Sequence, residues 1–142
     1  MRFLLDTYVL SEFRKRQRAH PAVIAWARDK RPGAMFTSVL VMGEIRQGIE
    51  SVRRRDPKQA AVLTAWFRSL KETLADRILP VDDVVADAWA LMNVPDRLPI
   101  VDGLLAATAK IHDLTLVTRN GRDVARTGVR LVDPFVPDPT VS

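Results

Sequence analysis

Short apolar runs alternate along this chain with longer stretches in which apolar positions recur every three or four residues. The first run, Phe3-Leu4-Leu5, ends at Asp6 and predicts a buried strand. Residues 9–15 read as helical, and Pro21 opens a second short helix reaching residue 29. Pro32-Gly33 marks a turn ahead of a strand over residues 34–37. Ser38 then caps a long helix in which Val39, Leu40, Ile45, Ile49 and Val52 share one apolar face. Asp56-Pro57 interrupts the pattern, and an amphipathic helix follows over residues 58–73. A strand is predicted over residues 77–81, after which Asp82 caps a helix running to Met92. Pro95 and Pro99 bracket a loop before a helix rich in alanine and leucine over residues 100–111. Residues 114–118 and 130–132 supply the last two strands.

Strands that alternate with helices in this way predict an α/β fold, its parallel sheet covered on both faces. The chain's 142 residues and 47% hydrophobic content suit a single domain with a proper core. That domain is expected over residues 1–135, followed by an extended or frayed tail over residues 136–142. No internal repeat or low-complexity segment interrupts it.

Composition narrows the chemistry. The absence of cysteine excludes disulfides, thiolate zinc sites and cysteine nucleophiles. Two histidines, His20 and His112, are too few for a histidine-rich metal site. Neither a signal peptide nor an apolar membrane span is evident, so the chain reads as cytoplasmic with no membrane partner. A net charge of +5 favours nucleic acid or other acidic partners, although a merely solvated surface is the commoner reason for such a charge.

Acidic and polar residues gather where strands are predicted to end. Asp6 follows the first strand directly; Thr118, Asn120 and Asp123 follow the strand that begins at residue 114. Asp102 lies just inside its helix after Pro99, and Glu44 lies within the long helix among Val41, Met42 and Ile45. Ligands of open α/β sheets bind at the carboxyl ends of the strands, so winding can bring these residues to one edge. Magnesium takes oxygen ligands in a near-octahedral shell and keeps several waters, which suits converging carboxylates. Each acid also has a plain structural role open to it. Asp6 and Asp123 can cap helices, Asp102 can complement a helix N-terminus, and the helix can turn Glu44 to solvent.

Four segments taken in order resemble the motifs of PIN-domain ribonucleases. They are Met1–Thr7 (MRFLLDT), Ser38–Glu50 (SVLVMGEIRQGIE), Pro99–Ala109 (PIVDGLLAATA) and Leu116–Asp123 (LVTRNGRD). The closing Gly128–Phe135 (GVRLVDPF) is similar to the FitB-like branch of VapC toxins from type II toxin–antitoxin systems. The first motif departs from the family, with Tyr8 where asparagine usually stands two residues after the first acid. That change adds a ring and bears on local geometry and substrate fit.

The resemblance implies a PIN-like three-layer α/β/α domain with a central, mainly parallel sheet of about five strands. It implies a magnesium-dependent ribonuclease, manganese being able to substitute, that hydrolyses RNA phosphodiesters with metal-activated water. Asp6 and Asp102 would be the metal ligands, Glu44 and Asp123 would complete the catalytic acids, and Thr118 and Asn120 would position water or phosphate. Implied partners are an RNA substrate, a VapB-like antitoxin, a second copy in a homodimer, and a toxin–antitoxin hetero-oligomer.

Two other functions remain open on sequence. One is a catalytically inactive PIN-like module that only binds RNA. The other is an Asp-based phosphatase, disfavoured because Tyr8 occupies the place of its second aspartate. Arg14, Lys15, Arg16 and Arg18 form one basic cluster, and Arg53, Arg54, Arg55 and Lys58 another; either can meet phosphates. Trp26, Trp66 and Trp89 read as core or dimer contacts and His112 as structural.

Overall fold

In the computed structural model, which describes residues 1–142, five strands form one sheet. They are β1 (Phe3–Leu5), β2 (Met35–Ser38), β3 (Ile78–Leu79), β4 (Thr115–Val117) and β5 (Leu131–Val132), in the order β3-β2-β1-β4-β5. Every neighbouring pair is parallel. β1 is central, with Leu4 in register between Phe36 and Leu116. A strand flanked on both sides and covered on both faces has no polar face, which is why its sequence is unbroken Phe-Leu-Leu.

Six helices connect the strands: α1 (Thr7–Phe13), α2 (Pro21–Arg28), α3 (Val39–Arg53), α4 (Pro57–Leu74), α5 (Asp83–Met92) and α6 (Ile100–Ile111). Asp6, His20, Ser38, Asp56 and Asp82 each cap one of them through a side-chain acceptor. The chain steps outward from β1 to β2 to β3, then crosses back to β4 on the other side of β1. Right-handed crossovers therefore put α1–α4 on one face of the sheet and α5 and α6 on the other. The strand order reverses between β1 and β4, and this reversal is where α/β sheets open a crevice for ligands.

Most elements shift by a residue or two at their ends, and three of these differences have a visible cause. The first helix starts at Thr7 because Asp6 is itself the cap. The strand expected over residues 77–81 shrinks to Ile78–Leu79. Pro80 has no N–H to offer a ladder, and Arg77 sits in a turn whose guanidinium donates to the carbonyls of Pro32, Met35 and Thr73. The tail folds back instead of fraying: Ser142 and Leu131 exchange two backbone hydrogen bonds of 3.2 and 2.9 Å along the outer edge of β5. Trp26 is buried edge-on against Phe3, while Trp66 and Trp89 pack partly buried against the core.

Candidate active site

Asp6 anchors the reversal point. Its backbone N–H continues the sheet by donating to the Val117 carbonyl at 3.2 Å, and its side chain turns to cap α1, Oδ1 accepting from Val9 N–H at 3.0 Å. The other carboxylate oxygen accepts from the Thr118 hydroxyl at 2.5 Å, a bond between the ends of β1 and β4. Thr118 in turn accepts from Asn120 N–H at 3.0 Å, closing a small turn after β4. The plain reading of Asp6 as a cap is correct, and it occupies only one of the two oxygens' lone-pair sets.

The remaining acids arrive from three other elements. Asp102 lies in the first turn of α6, half-buried, and no side chain caps that helix. Glu44 is exposed on α3 and accepts from the Thr7 hydroxyl at 2.5 Å, so the helix does turn it out of the core. Asp123 lies on the surface, inside a seven-residue 3-10 segment, Gly121–Thr127, that Asn120 precedes. Asp6, Glu44, Asp102 and Asn120 line one cleft of about 900 Å³; Thr118 stands behind Asp6, and Asp123 flanks Asp102 from outside that lining.

Electrostatics binds these residues into one system. Burial pushes the Asp6 carboxyl up to about 6, against hydrogen bonds from Thr118 and Val9, with repulsion from Asp102 and Glu44 adding to the rise. Burial also raises Asp102, and Asp123 and Glu44 raise it further through their negative charge. None of the four acids has a lysine, arginine or histidine ion-pair partner. As the side chains stand, no three acids or histidines are grouped closely enough to enclose one metal ion. The donor set nevertheless suits magnesium, because Asp6 and Asp102 would supply hard oxygen ligands and that ion retains much of its water.

Close packing positions Asp102. Its neighbour Gly103 leaves so little space that a Cβ there would lie 3.2 Å from Leu98 Cβ and from the Trp89 ring. Loop 93–99 is tied down by Asn93, which accepts from Leu98 N–H at 2.8 Å, and by Arg126, which donates to the carbonyls of Met92 and Asp96.

The basic clusters separate. Arg14 and Lys15 line the cleft, whereas Arg16 and Arg18 do not. Arg53 is engaged by Glu50 at 2.8 Å and by Thr64 at 3.1 Å, and no member of its cluster lines the cleft. Sequence reasoning missed Glu12 and Arg119. Glu12 is buried, yet Lys15 at 2.5 Å and His20 N–H at 2.9 Å outweigh that burial and hold its carboxyl below the usual range. Its signal was an acid on the buried side of a short apolar helix. Arg119 packs over the rings of Tyr8 and Phe135 and left no signal beyond its place between Thr118 and Asn120.

An acid-lined crevice at the reversal of a five-stranded parallel sheet defines a class, and comparison with known proteins gives it a name. The PIN domain matches residues 3–129, and the chain belongs to the PIN-domain family. Toxin FitB of Neisseria gonorrhoeae is 29% identical over 137 residues, spanning 93% of this chain and 97% of FitB. The VapC ribonuclease Y4jK of Sinorhizobium fredii is 28% identical over 144 residues, spanning 94% of this chain and 98% of its own. The solved structure of FitAB bound to an IR36 DNA fragment superimposes with a TM-score of 0.86 at 29% identity, over 96% of this chain and 97% of that one.

Proposed function

We propose that this chain is the toxin of a type II toxin–antitoxin pair and acts as a magnesium-dependent ribonuclease. The observation that carries this reading is that Asp6, Glu44, Asp102 and Asp123 stand at the sheet reversal without a single cationic partner. Uncompensated carboxylates destabilise a fold unless a cation joins them. Similarity to FitB and to a VapC ribonuclease over nearly the whole chain supports the same conclusion.

Asp6 and Asp102 would hold the ion, with Glu44 and Asp123 acting through water, and manganese would serve in its place. A divalent ion supplies an acidified water near neutral pH and offsets charge on the phosphate. Thr118 holds Asp6 in one rotamer, and Thr7 fixes Glu44. Asn120, with Thr118 behind it, positions water or phosphate, while Arg14 attracts the RNA backbone into an otherwise repelling cleft.

The companion would be a small VapB-like antitoxin, in a hetero-oligomer built on a toxin homodimer and working in the cytoplasm. No helix is long and apolar enough to cross a membrane. Purified protein incubated with a panel of RNAs, in magnesium, manganese or EDTA, tests the proposal. Metal-dependent cleavage is expected. RNA binding without cleavage would favour the inactive-module reading, and release of phosphate from monoesters would favour a phosphatase.

A further inference from the structure

Tyr8 stands on the first turn of α1, two residues beyond Asp6, and is the one aromatic residue lining the acidic cleft. It is 56% exposed, and its hydroxyl makes no hydrogen bond within the chain. The ring therefore contributes little to the core and does not brace Asp6, whose two oxygens are held by Thr118 and Val9. The Arg119 guanidinium lies over one face of this ring, 5.2 Å from its centre, and over the Phe135 ring at 4.8 Å. Phe135 is fixed in turn by an edge contact with His20 at 5.3 Å. Arg119 is exposed and has no ion-pair partner, so its donors are free, while the two rings restrict where its side chain can go. The turn that carries it runs from Thr118, bonded to Asp6, to Asn120 in the cleft.

We infer that Tyr8 and Arg119 together form a nucleotide-holding wall: an unpaired base stacks on the Tyr8 ring, and Arg119 takes the adjoining phosphate. This deepens the ribonuclease reading and rests on it. A flat ring covered by a guanidinium on one face and exposed elsewhere matches the two parts of a single-stranded nucleotide, the base stacking on the face that Arg119 leaves open. In a duplex the base faces are covered by their neighbours, so the pair selects unpaired RNA. An acid-lined cleft needs such help, because its carboxylates repel the backbone they must approach.

Binding of single-stranded RNA hexamers in EDTA, where the strand stays intact, tests the pair. One hexamer carries 2-aminopurine at a central position, and its partner carries an abasic site there. For wild type, 2-aminopurine fluorescence should be quenched on binding, and the abasic hexamer should bind more weakly. Tyr8→Ala should lose the quenching and weaken the base-bearing hexamer by roughly 5- to 150-fold, the range expected for one stacked base, leaving the abasic hexamer unchanged. Tyr8→Phe should behave as wild type, and Tyr8→Leu, which keeps apolar bulk, should behave as Tyr8→Ala. Arg119→Gln should weaken both hexamers alike and make the salt dependence shallower by about 0.7 in logarithmic slope. Equal binding of the two hexamers by wild type, or equal losses for both in Tyr8→Ala, would overturn the inference. A wild type that cleaves RNA in magnesium yet gives that result loses only this wall, whereas one that neither binds nor cleaves loses the ribonuclease reading as well.

Discussion

The two ends of the parallel sheet handle charge in opposite ways. At the amino ends of β1, β4 and β5 stand Arg2, Asp113 and Arg130. Here Arg130 pairs with Asp113 at 2.8 Å, and Arg2 donates to the His112 carbonyl at 2.7 Å. The hydrogen bond from Arg130, then its charge, holds the Asp113 carboxyl below its usual range. At the carboxyl ends the acids have no such partners, and burial and mutual repulsion push Asp6 and Asp102 upward. Charge at one end is settled within the fold. At the other it is left unpaired, as expected where stability has been yielded to function.

Breaking the carboxyl end should have the largest effect. Asp6→Asn and Asp102→Asn remove a charge from a nearly isosteric side chain, and each should lower RNA cleavage by at least about 100-fold. Loss of an outer partner of a metal ligand already costs 10- to 100-fold, and a direct ligand should cost no less. Circular dichroism would confirm an intact fold. Thr118→Val leaves the acids in place but removes the bond to Asp6, and should cost about 10-fold while moving the acidic limb of the pH–rate profile upward.

A pH series on metal-free protein sharpens the same comparison. Burial pushes the Asp6 carboxyl up to about 6 in the folded chain from its ordinary 3.8, so between these values the folded state binds more protons than the unfolded one. Stability therefore falls as pH rises through that window, by on the order of 2–3 kcal/mol at most. The melting temperature should climb by several degrees from pH 7 to pH 5, and Asp6→Asn should flatten this rise. A flat wild-type profile would remove the electrostatic account of the cleft. The smallest effect belongs to the amino end: Asp113→Asn loses an exposed ion pair and should shift the melting temperature by under about 2 °C, with cleavage unchanged.

Much of this was legible because patterning and topology agree. The apolar run Phe3–Leu5 suited a fully buried strand, and the order of elements implied a parallel sheet with its acids at one edge. Asp6, Glu44, Asp102 and Asn120 do meet in one cleft, and the PIN family and five-stranded sheet are as expected. What was hidden depended on contacts between distant residues. Nothing local in Arg77 announced that it would bind three carbonyls and shorten the strand expected after it. Nor could Arg119 be linked to Tyr8 and Phe135, since the sheet reversal alone brings those segments together. Asp123, expected beside Glu44 to complete the acids around Asp6 and Asp102, lies exposed outside the cleft lining and acts on Asp102 through its charge.

The central claim is that the unpaired acids at the carboxyl end are a divalent-cation site that cuts RNA. The most direct measurement is the initial rate of cleavage of one susceptible single-stranded RNA across a magnesium series beginning in EDTA, for wild type and Asp102→Asn side by side. The account predicts no product in EDTA, a saturable rise for wild type, and a nearly flat line for the variant. Cleavage that persists in EDTA, or coincident curves for the two proteins, would contradict it.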